Sequence, residues 1–330
     1  MPFSPAKFRR QLLAWYDASH RKLPWRETTD PYAVWISEVM LQQTRVAAVI
    51  PYYQRFVERF PTIQALADAK EEDLLFCWSG LGYYSRARNL QLAARHMAGC
   101  FPTDYDAIRG LPGIGDYTAA AVASIAFNLP YAAVDGNVLR VLARLTDDAS
   151  DIAALDTKRR LQLLATALLD RTTPGKFNQA VMELGATVCL PKQPQCLLCP
   201  VRNHCAAAAR GTQNQLPVKL RKARAVRTVR TLLIVCKNGT YLVWQRPFDA
   251  RILAGLWELP EPEHVPDASM GELIGTFRHS ITVNDYTFRV CRANVACVSP
   301  TMRWLSAEDL NCVPLSTTTR KALRIAAVMS

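Results

Sequence analysis

Apolar residues recur at helical spacing through the first two hundred positions of the chain. Asp30-Pro31 supplies an N-cap and a first-turn proline ahead of YAVWISEVMLQQTRVAAVI, which reads as one helix. GLGYYSRARNLQLAARHM, DYTAAAVASIAF, GNVLRVLARL and TKRRLQLLATALL repeat the pattern, separated by breaks containing proline or glycine. Nothing from Ser4 to about Cys205 alternates as a strand does. From 206 to 230 the pattern lapses: AAAARGTQNQLPVKLRKARAVRTVR has little apolar periodicity and no acidic residue, and it reads as a linker. Beyond it, RTLLIVCKNGTYLVWQRP sets β-rich runs on either side of Asn238-Gly239, a strong hairpin signal, and YTFRVCRANVACV alternates as a strand. The pattern predicts a mainly α domain over 1–205 and a separate α/β domain over 231–330. No internal repeat marks a solenoid.

The 330 residues, 50% of them apolar, suffice for about two domains and a sizeable core, which excludes a disordered chain or a small disulfide scaffold. A formal charge of +12 points to an anionic partner, nucleic acid first. An anionic membrane surface would attract the same charge, but no run approaches the roughly 18 to 20 apolar residues of a bilayer span. The N-terminal MPFSPAKFRRQLLAWYD lacks the unbroken apolar centre of a signal peptide, so cytoplasmic residence is expected. Over half of the excess charge lies in the linker, where 206–230 hold seven Lys and Arg and no acid. Lys219, Arg221, Lys222 and Arg224 are therefore candidates for phosphate contacts.

Ten cysteines in such a chain are expected to be reduced or metal-bound rather than paired. Cys77, Cys100, Cys236, Cys291, Cys297 and Cys312 are scattered in apolar contexts and read as small buried hydrophobes. Cys189, Cys196, Cys199 and Cys205 instead form C-x6-C-x2-C-x5-C, interrupted by Pro191, Pro194 and Pro200. Four thiolates in a proline-braced loop suit a [4Fe-4S] cluster or a structural zinc. Zinc sites more often come as two C-x2-C pairs, so the single pair and wide outer spacings favour the cluster. His204, beside a complete set of four, reads as a surface histidine.

Leu111-Pro112-Gly113-Ile114-Gly115 falls between two helical segments. Glycines at alternate positions allow a tight turn that leaves amides at the next helix start, a way for a peptide loop to grip a phosphate. Any helix-turn-helix connection can carry two glycines, however. Asp135, in VDGNV directly before a helix, reads by itself as an N-cap or first-turn acid.

LPGIGDYTAAAV, VDGNV and the four-cysteine tail, in this order, resemble the helix-hairpin-helix DNA glycosylases. LPWR at Leu23–Arg26, SEVMLQQTRV at Ser37–Val46 and GLGYYSRARNL narrow the resemblance to the MutY-type adenine DNA glycosylases, over nearly the whole chain. It implies a helical catalytic domain with a [4Fe-4S] module and a Nudix-like C-terminal domain. The implied activity is base excision repair by removal of adenine mispaired with 8-oxoguanine or guanine, on double-stranded DNA and as a monomer.

Such a reaction must protonate a poor leaving group and stabilise oxocarbenium character on the sugar, which two differently tuned carboxyls can do. Glu38 is the lone acid of an apolar helix, flanked by Trp35 and Leu41; desolvation there keeps it protonated, as a general acid toward N7 of adenine requires. Its position matches the family's catalytic acid, against the plainer reading of a helix-face carboxylate paired with Arg45. Asp135, at a helix N-terminus that favours negative charge, is suited to face the cationic sugar. By the resemblance, Asn137 and Tyr117 complete the site. Bifunctional relatives such as endonuclease III carry a lysine at position 117, whose amine attacks C1′; tyrosine cannot form that Schiff base, so a monofunctional hydrolase is predicted. The resemblance also implies that Gln43 with Thr44, and Leu81 with Tyr83, wedge into the duplex when the base is flipped. It gives Arg26 and Gln179 hydrogen bonds to the extruded adenine, and Gly113 and Gly115 a phosphate grip.

AGLWELP at Ala254–Pro260 resembles the opening of a Nudix fold, but the glutamate-rich helix of a Nudix hydrolase is replaced by EPEHVPDASMGELIG. A reader of the opposite base is therefore favoured over a diphosphate hydrolase. In the family that reading relies on a Phe-Ser-His loop; aligning Phe277-Arg278-His279 puts Ile281-Thr282-Val283 there. Thr282 alone retains a hydroxyl for 8-oxoguanine, with His279 available in another register, and weaker discrimination from guanine is expected. The rival from another class is a catalytically silent protein that binds damaged DNA, for which Glu38, Asp135 and Tyr117 would have no chemical use.

Overall fold

Period and caps resolve into a helical body followed by a mixed sheet. The computed structural model describes residues 4–220, 227–250, 252–281 and 284–329. In chain order it holds helices α1 (Pro5–Ser19), α2 (Pro31–Leu41), α3 (Val46–Arg59), α4 (Ile63–Ala67), α5 (Glu71–Trp78) and α6 (Ser85–Met97). Then come α7 (Tyr105–Arg109), α8 (Asp116–Phe127), α9 (Gly136–Thr146), α10 (Leu155–Leu168), α11 (Pro174–Thr187) and α12 (Ala206–Arg210). Strands β1 (Arg227–Lys237), β2 (Thr240–Gln245), β3 (Trp257–Glu258), β4 (Ser269–Ile281), β5 (Asn284–Asn294) and β6 (Met302–Ser306) follow, closed by helices α13 (Ala307–Cys312) and α14 (Thr317–Ile325). Among the described residues no helix is long and apolar enough to cross a membrane.

Contacts divide the chain into two units, Met1–Ala67 with Asn89–Lys222, and Asp68–Arg88 with Ala223–Ser330. The first is helical. Asp30 caps α2 through the amides of Tyr32 and Ala33, and Pro31 opens it, as the sequence predicts. Every residue of α2 from Tyr32 to Met40 is buried, so this helix has no solvent face and runs through the interior. Burying a side chain such as Ile36 contributes roughly 1.5–3 kcal/mol. A second core joins α1, α9, α10 and α11 through Phe8, Leu12, Leu142, Leu161, Phe177 and Leu184, and Cys189, Cys199 and Cys205 pack against it.

The single helix expected over YAVWISEVMLQQTRVAAVI is two. α2 stops at Leu41 and α3 begins at Val46, because Gln43 takes a left-handed conformation (φ +58°) that no α-helix continues through. The expected linker is also shorter than 206–230. Ala206–Arg210 is helical, Leu216 is buried, its carbonyl accepts from Arg144 Nε at 2.9 Å, and the Val218 carbonyl accepts from the Ile152 amide. The chain therefore stays docked on the first unit well beyond Cys205. His204, expected at the surface, is buried and bonds Gln11 Oε1 at 2.7 Å. Of the six scattered cysteines only Cys77 and Cys291 are buried; Cys100, Cys236, Cys297 and Cys312 are exposed, since apolar neighbours in sequence need not be neighbours in space.

The second unit contains a six-stranded mixed sheet of order β3-β2-β1-β5-β4, with β6 pairing β2. The Asn238-Gly239 hairpin joins β1 to β2 with Lys237 opposite Thr240, and both turn residues have positive φ, as the favoured two-residue hairpin turn requires. One sheet face packs Leu232, Ile234, Phe288 and Val290 against Leu310 of α13 and Leu323 of α14. The segment Asp68–Arg88, which the sequence pattern places with the other helices, belongs to this unit. Ser79 Oγ donates to the Leu315 carbonyl at 3.0 Å and accepts from Arg320, and Arg88 is bonded to Glu71 and to the Ala254 carbonyl.

Candidate active site

A cavity of about 950 Å³ in the first unit gathers Glu38, Tyr117, Asp135, Asn137, Arg26 and Gln179, together with Gln43, Thr44 and Gly115. Residues far apart in sequence meet there because the buried α2 delivers Glu38 from the interior, α8 delivers Tyr117, and the N-terminus of α9 delivers Asp135.

The Tyr117 hydroxyl donates to Glu38 Oε2 at 2.6 Å and also contacts Met182 Sδ at 3.2 Å. Burial drives the Glu38 carboxyl up to about 7; the Tyr117 hydrogen bond opposes the rise and the charge of Asp135 adds to it. Burial likewise holds the Tyr117 phenol well above its ordinary range, so it remains a donor. With Oε2 occupied by Tyr117, Oε1 is left to carry the acidic proton. Tyr117, and not the Arg45 of the plainer reading, is the partner found.

Asp135 is the N-cap of α9: Oδ1 accepts from the Val138 amide and Oδ2 from Asn137 Nδ2, both at 2.7 Å. Asn137 Oδ1 in turn accepts from Arg140 Nη2 at 2.8 Å, and the same guanidinium donates to the carbonyls of Gly185 and Cys189. Gly185 permits this close approach, since a Cβ there would lie 2.7 Å from Asn137 Cβ. Asp135 is the cap its local sequence suggests, and both of its oxygens are oriented, Oδ1 by the Val138 amide and Oδ2 by the Asn137 side chain.

Arg26 is held rather than free. Its Nη2 pairs with Glu183 Oε2 at 2.8 Å, its Nη1 donates to the Arg21 carbonyl, and its guanidinium lies over the Tyr16 ring. Tyr16 in turn donates to Gln179 Oε1 at 2.6 Å. Glu183 is the residue sequence reasoning missed. It is 1% exposed and bound by Arg21 Nε and Nη2 as well as by Arg26. Burial pushes its carboxyl up, but the hydrogen bonds from Arg21 and Arg26 overcome that and hold it at about 2. It lies one helical turn beyond Gln179 in α11, but its partners stand about 160 residues earlier, so no local signal marks it.

The helix-turn-helix connection forms as expected between α7 and α8. Gly113 (φ +75°) is required there, because a Cβ would sit 2.5 Å from Asn89 Cβ. Gly115 is the N-cap of α8, where a Cβ would meet nothing within 4 Å and no side chain caps the helix. Leu81 and Tyr83 do not line this cavity. They line another, of about 350 Å³ in the second unit, with His279, Ser280 and Ile281. Leu81 is buried there, whereas Tyr83 is 44% exposed and left-handed (φ +49°). Lys321 Nζ contacts His279 Nδ1 at 3.3 Å, which fixes Nε2 as the protonated nitrogen; burial and Lys321 lower the His279 pKa. Thr282 and Val283 lie outside the described residues, as do Arg221, Lys222 and Arg224, while Lys219 lines the large cavity.

Cys189, Cys196, Cys199 and Cys205 line one cavity with Arg144 and Gln213. Arg144, 1% exposed, donates to Cys189 Sγ at 3.2 Å, and burial raises the Cys199 thiol to about 12. A fixed buried cation beside four sulfurs is suited to offset thiolate charge, so the donor set fits an iron–sulfur group. Among the described residues no group of three or more His, Cys, Asp or Glu is drawn together as closely as a single ion requires.

Residues 36–166 match the HhH-GPD superfamily base excision DNA repair protein family. The chain is 35% identical over 399 aligned positions to the adenine DNA glycosylase of Mus musculus, spanning 96% of this chain and 77% of that protein. It is 38% identical to the adenine DNA glycosylase of Buchnera aphidicola subsp. Acyrthosiphon pisum, covering 73% of each. Among solved structures, a thermostable thymine-DNA glycosylase superposes with a TM-score of 0.56 at 27% identity, over 62% of this chain and 97% of that one. An endonuclease III–DNA complex shares the fold, with a TM-score of 0.54 at 23% identity over 64% of this chain and 99% of that one.

Proposed function

The chain belongs to the adenine DNA glycosylases of the HhH-GPD superfamily, N-glycosylases of base excision repair, and from that premise we propose that it acts on adenine opposite 8-oxoguanine or guanine in duplex DNA. The base is flipped into the cavity of the first unit, and the chain cleaves the glycosidic bond without cutting the strand. The observation that carries this reading is Glu38, a carboxyl at about 7 inside a cavity, with one oxygen fixed by Tyr117.

In the proposed reaction Oε1 of protonated Glu38 donates to N7 of adenine, so the base leaves neutral as the C1′–N9 bond lengthens. Asp135, its two oxygens already oriented by Val138 and Asn137, faces the positive charge growing on the sugar. A water then adds at C1′ and gives up its proton to the carboxylate that Glu38 has become, which restores the acid. Tyr117 carries no amine, so no imine forms with the sugar and β-elimination is not initiated. Arg26, Gln179 and Tyr16 shape the part of the cavity that receives the base, and Glu183 anchors Arg26. The cysteine cavity supports a [4Fe-4S] cluster held by Cys189, Cys196, Cys199 and Cys205, bracing the loop whose Cys189 carbonyl fixes Arg140.

The second unit is the proposed Nudix-like reader of the opposite base. Its cavity joins the wedge positions Leu81 and Tyr83 to His279 and Ser280, and Gln43 with Thr44 serve the same step from the first unit. The test is a duplex with adenine opposite 8-oxoguanine, treated with alkali after incubation. Cleavage at adenine only after alkali is expected; cleavage without alkali would show a lyase, and none at all would favour the silent binder. A visible absorbance spectrum of anaerobically purified protein tests the cluster, since iron–sulfur centres are coloured and zinc is not.

A further inference from the structure

The two faces of the second unit's sheet are finished differently. One is covered by α13 and α14. On the other, the connection between β3 and β4 contains only a 3₁₀ turn, Pro262–His264, and its Val265 and Ala268 cover the far end at Leu233, Val235, Cys291 and Ala293. Among the described residues, the end where β1 begins is bare. Strand register shows what stands there. Arg227 pairs with Asp285, which pairs with Ser280; Val229 with Thr287 and Arg278; Thr231 with Arg289 and Thr276. Directly opposed residues share a face, and alternate residues of one strand do too, so these three rows form one surface.

Arg227, Arg278 and Arg289 are all exposed on it, one in each row, and no ion pair is found for any of them among the described residues. Asp285, the acid of the surface, already accepts from Ser280 at 2.5 Å. Thr231, Thr276 and Thr287 add hydroxyl donors. Val229 is the large apolar side chain of these three rows, with exposed Leu273 in the next, opposite Cys291, so arginines and hydroxyls outnumber the apolar anchors that dominate protein–protein interfaces. Arginine with threonine is the composition that meets phosphodiester oxygens. Position argues the same way. A cavity of about 320 Å³ at the end of the sheet is lined by Arg227, Arg278 and Thr287 of this face and by His279 and Tyr286 of the helix-covered one, and it shares His279 and Ser280 with the cavity that holds Leu81 and Tyr83.

We propose that the bare sheet face carrying Arg227, Arg278 and Arg289 binds the DNA backbone beside the mispair, as a sequence-independent phosphate surface that meets the opposite-base cavity round the end of the sheet. The proposal rests on the reading of this chain as an enzyme of duplex DNA, and the absence of a covering helix among the described residues is what makes the surface available.

The experiment uses the full chain and a duplex with a non-hydrolysable adenine analogue opposite 8-oxoguanine, titrated over a range of salt concentrations. For the triple variant Arg227→Gln, Arg278→Gln, Arg289→Gln, the slope of log K against log salt is expected to fall by about 2 to 3, near 0.9 for each phosphate no longer neutralised. Each single variant should lower it by about 1, so the result does not hang on the triple variant folding. The converse substitution, Thr287→Arg, should steepen the slope. Single-turnover adenine release at saturating DNA should match the parent. Unchanged slopes with normal adenine release would overturn this surface and leave the enzymatic reading intact, with an acidic protein as the remaining occupant. A parent that releases no adenine would instead remove the reading on which the proposal rests.

Discussion

Two buried glutamates line one cavity and are held in opposite states. Glu38 has a phenol for a partner, and burial raises it to about 7; Glu183 has two guanidiniums, and their hydrogen bonds hold it at about 2. Both are nearly inaccessible, so burial alone does not decide protonation. What decides is whether the neighbour brings charge. A neutral donor satisfies the carboxyl geometrically without offsetting its desolvation, and the proton stays; fixed cations do offset it, and the proton leaves. One carboxyl thereby keeps its proton, and the other stands as an anion between two guanidiniums.

The largest expected effect breaks the acid. Glu38→Gln should lower single-turnover adenine release by about 10² to 10⁴-fold while leaving duplex binding in place, and retained turnover would refute its assignment. The same variant carries a stability signature. A raised carboxyl contributes stability below its ordinary 4.5 that is lost as pH rises through about 7, so Glu38→Gln should gain on the parent in urea midpoint above pH 7. Asp135→Asn should cost about 10² to 10³-fold in rate, since it leaves the cap in place but removes the charge that faces the sugar.

The anchor answers to stability rather than to the acid limb. Arg26→Leu strips one of two cations from Glu183 and should cost about 1.5–3 kcal/mol by denaturant titration. The sign with pH is opposite to that of Glu38. A lowered carboxyl contributes stability above 4.5 that fades as pH falls to about 2, so the gap between variant and parent should narrow toward acid. A gap that widened in acid would mean the pair is not what the residue contributes. A finer test is Tyr117→Phe. Its hydrogen bond pulls the Glu38 pKa down, so removing it should move the alkaline limb of the rate profile, with its midpoint near pH 7, to higher pH. The smallest effect belongs to the other unit: Val283→His should raise the ratio of single-turnover rates on 8-oxoguanine over guanine mispairs, and a parent ratio already high and unmoved by the substitution would contradict the expected weak discrimination.

Part of the candidate site was legible along the chain where a member carries a local signal, whereas Tyr117 and Asn137 entered only through the family resemblance. Glu38 is the single acid in an apolar helix, Asp135 stands where a cap belongs, and four cysteines fall within one proline-braced loop. Gln43 shows where such signals stop. It lies in a stretch with unbroken helical periodicity, yet the backbone turns left-handed there and splits the helix in two, a conformation uncommon for a non-glycine residue that its neighbours in sequence do not announce. Glu183 shows the same limit in a side chain. Nothing in VMELGAT distinguishes a buried, ion-paired glutamate from a solvated one; Arg21 and Arg26, about 160 residues earlier, make the difference.

By itself the sequence determined the helical character of the first two hundred residues, the hairpin at Asn238-Gly239 and the strand that begins near Tyr286, since these follow from spacing, caps and residue type within a few turns of chain. Tertiary structure alone decided three further things. It gave Asp68–Arg88 to the sheet-bearing unit, through Ser79 and Arg88. It docked residues 206–220 where a tether was expected, with Leu216 buried and the carbonyls of Leu216 and Val218 accepting from Arg144 and Ile152. It left three arginines on an uncovered sheet face. Each depends on contacts between residues far apart in the chain, and such contacts leave no period in a sequence.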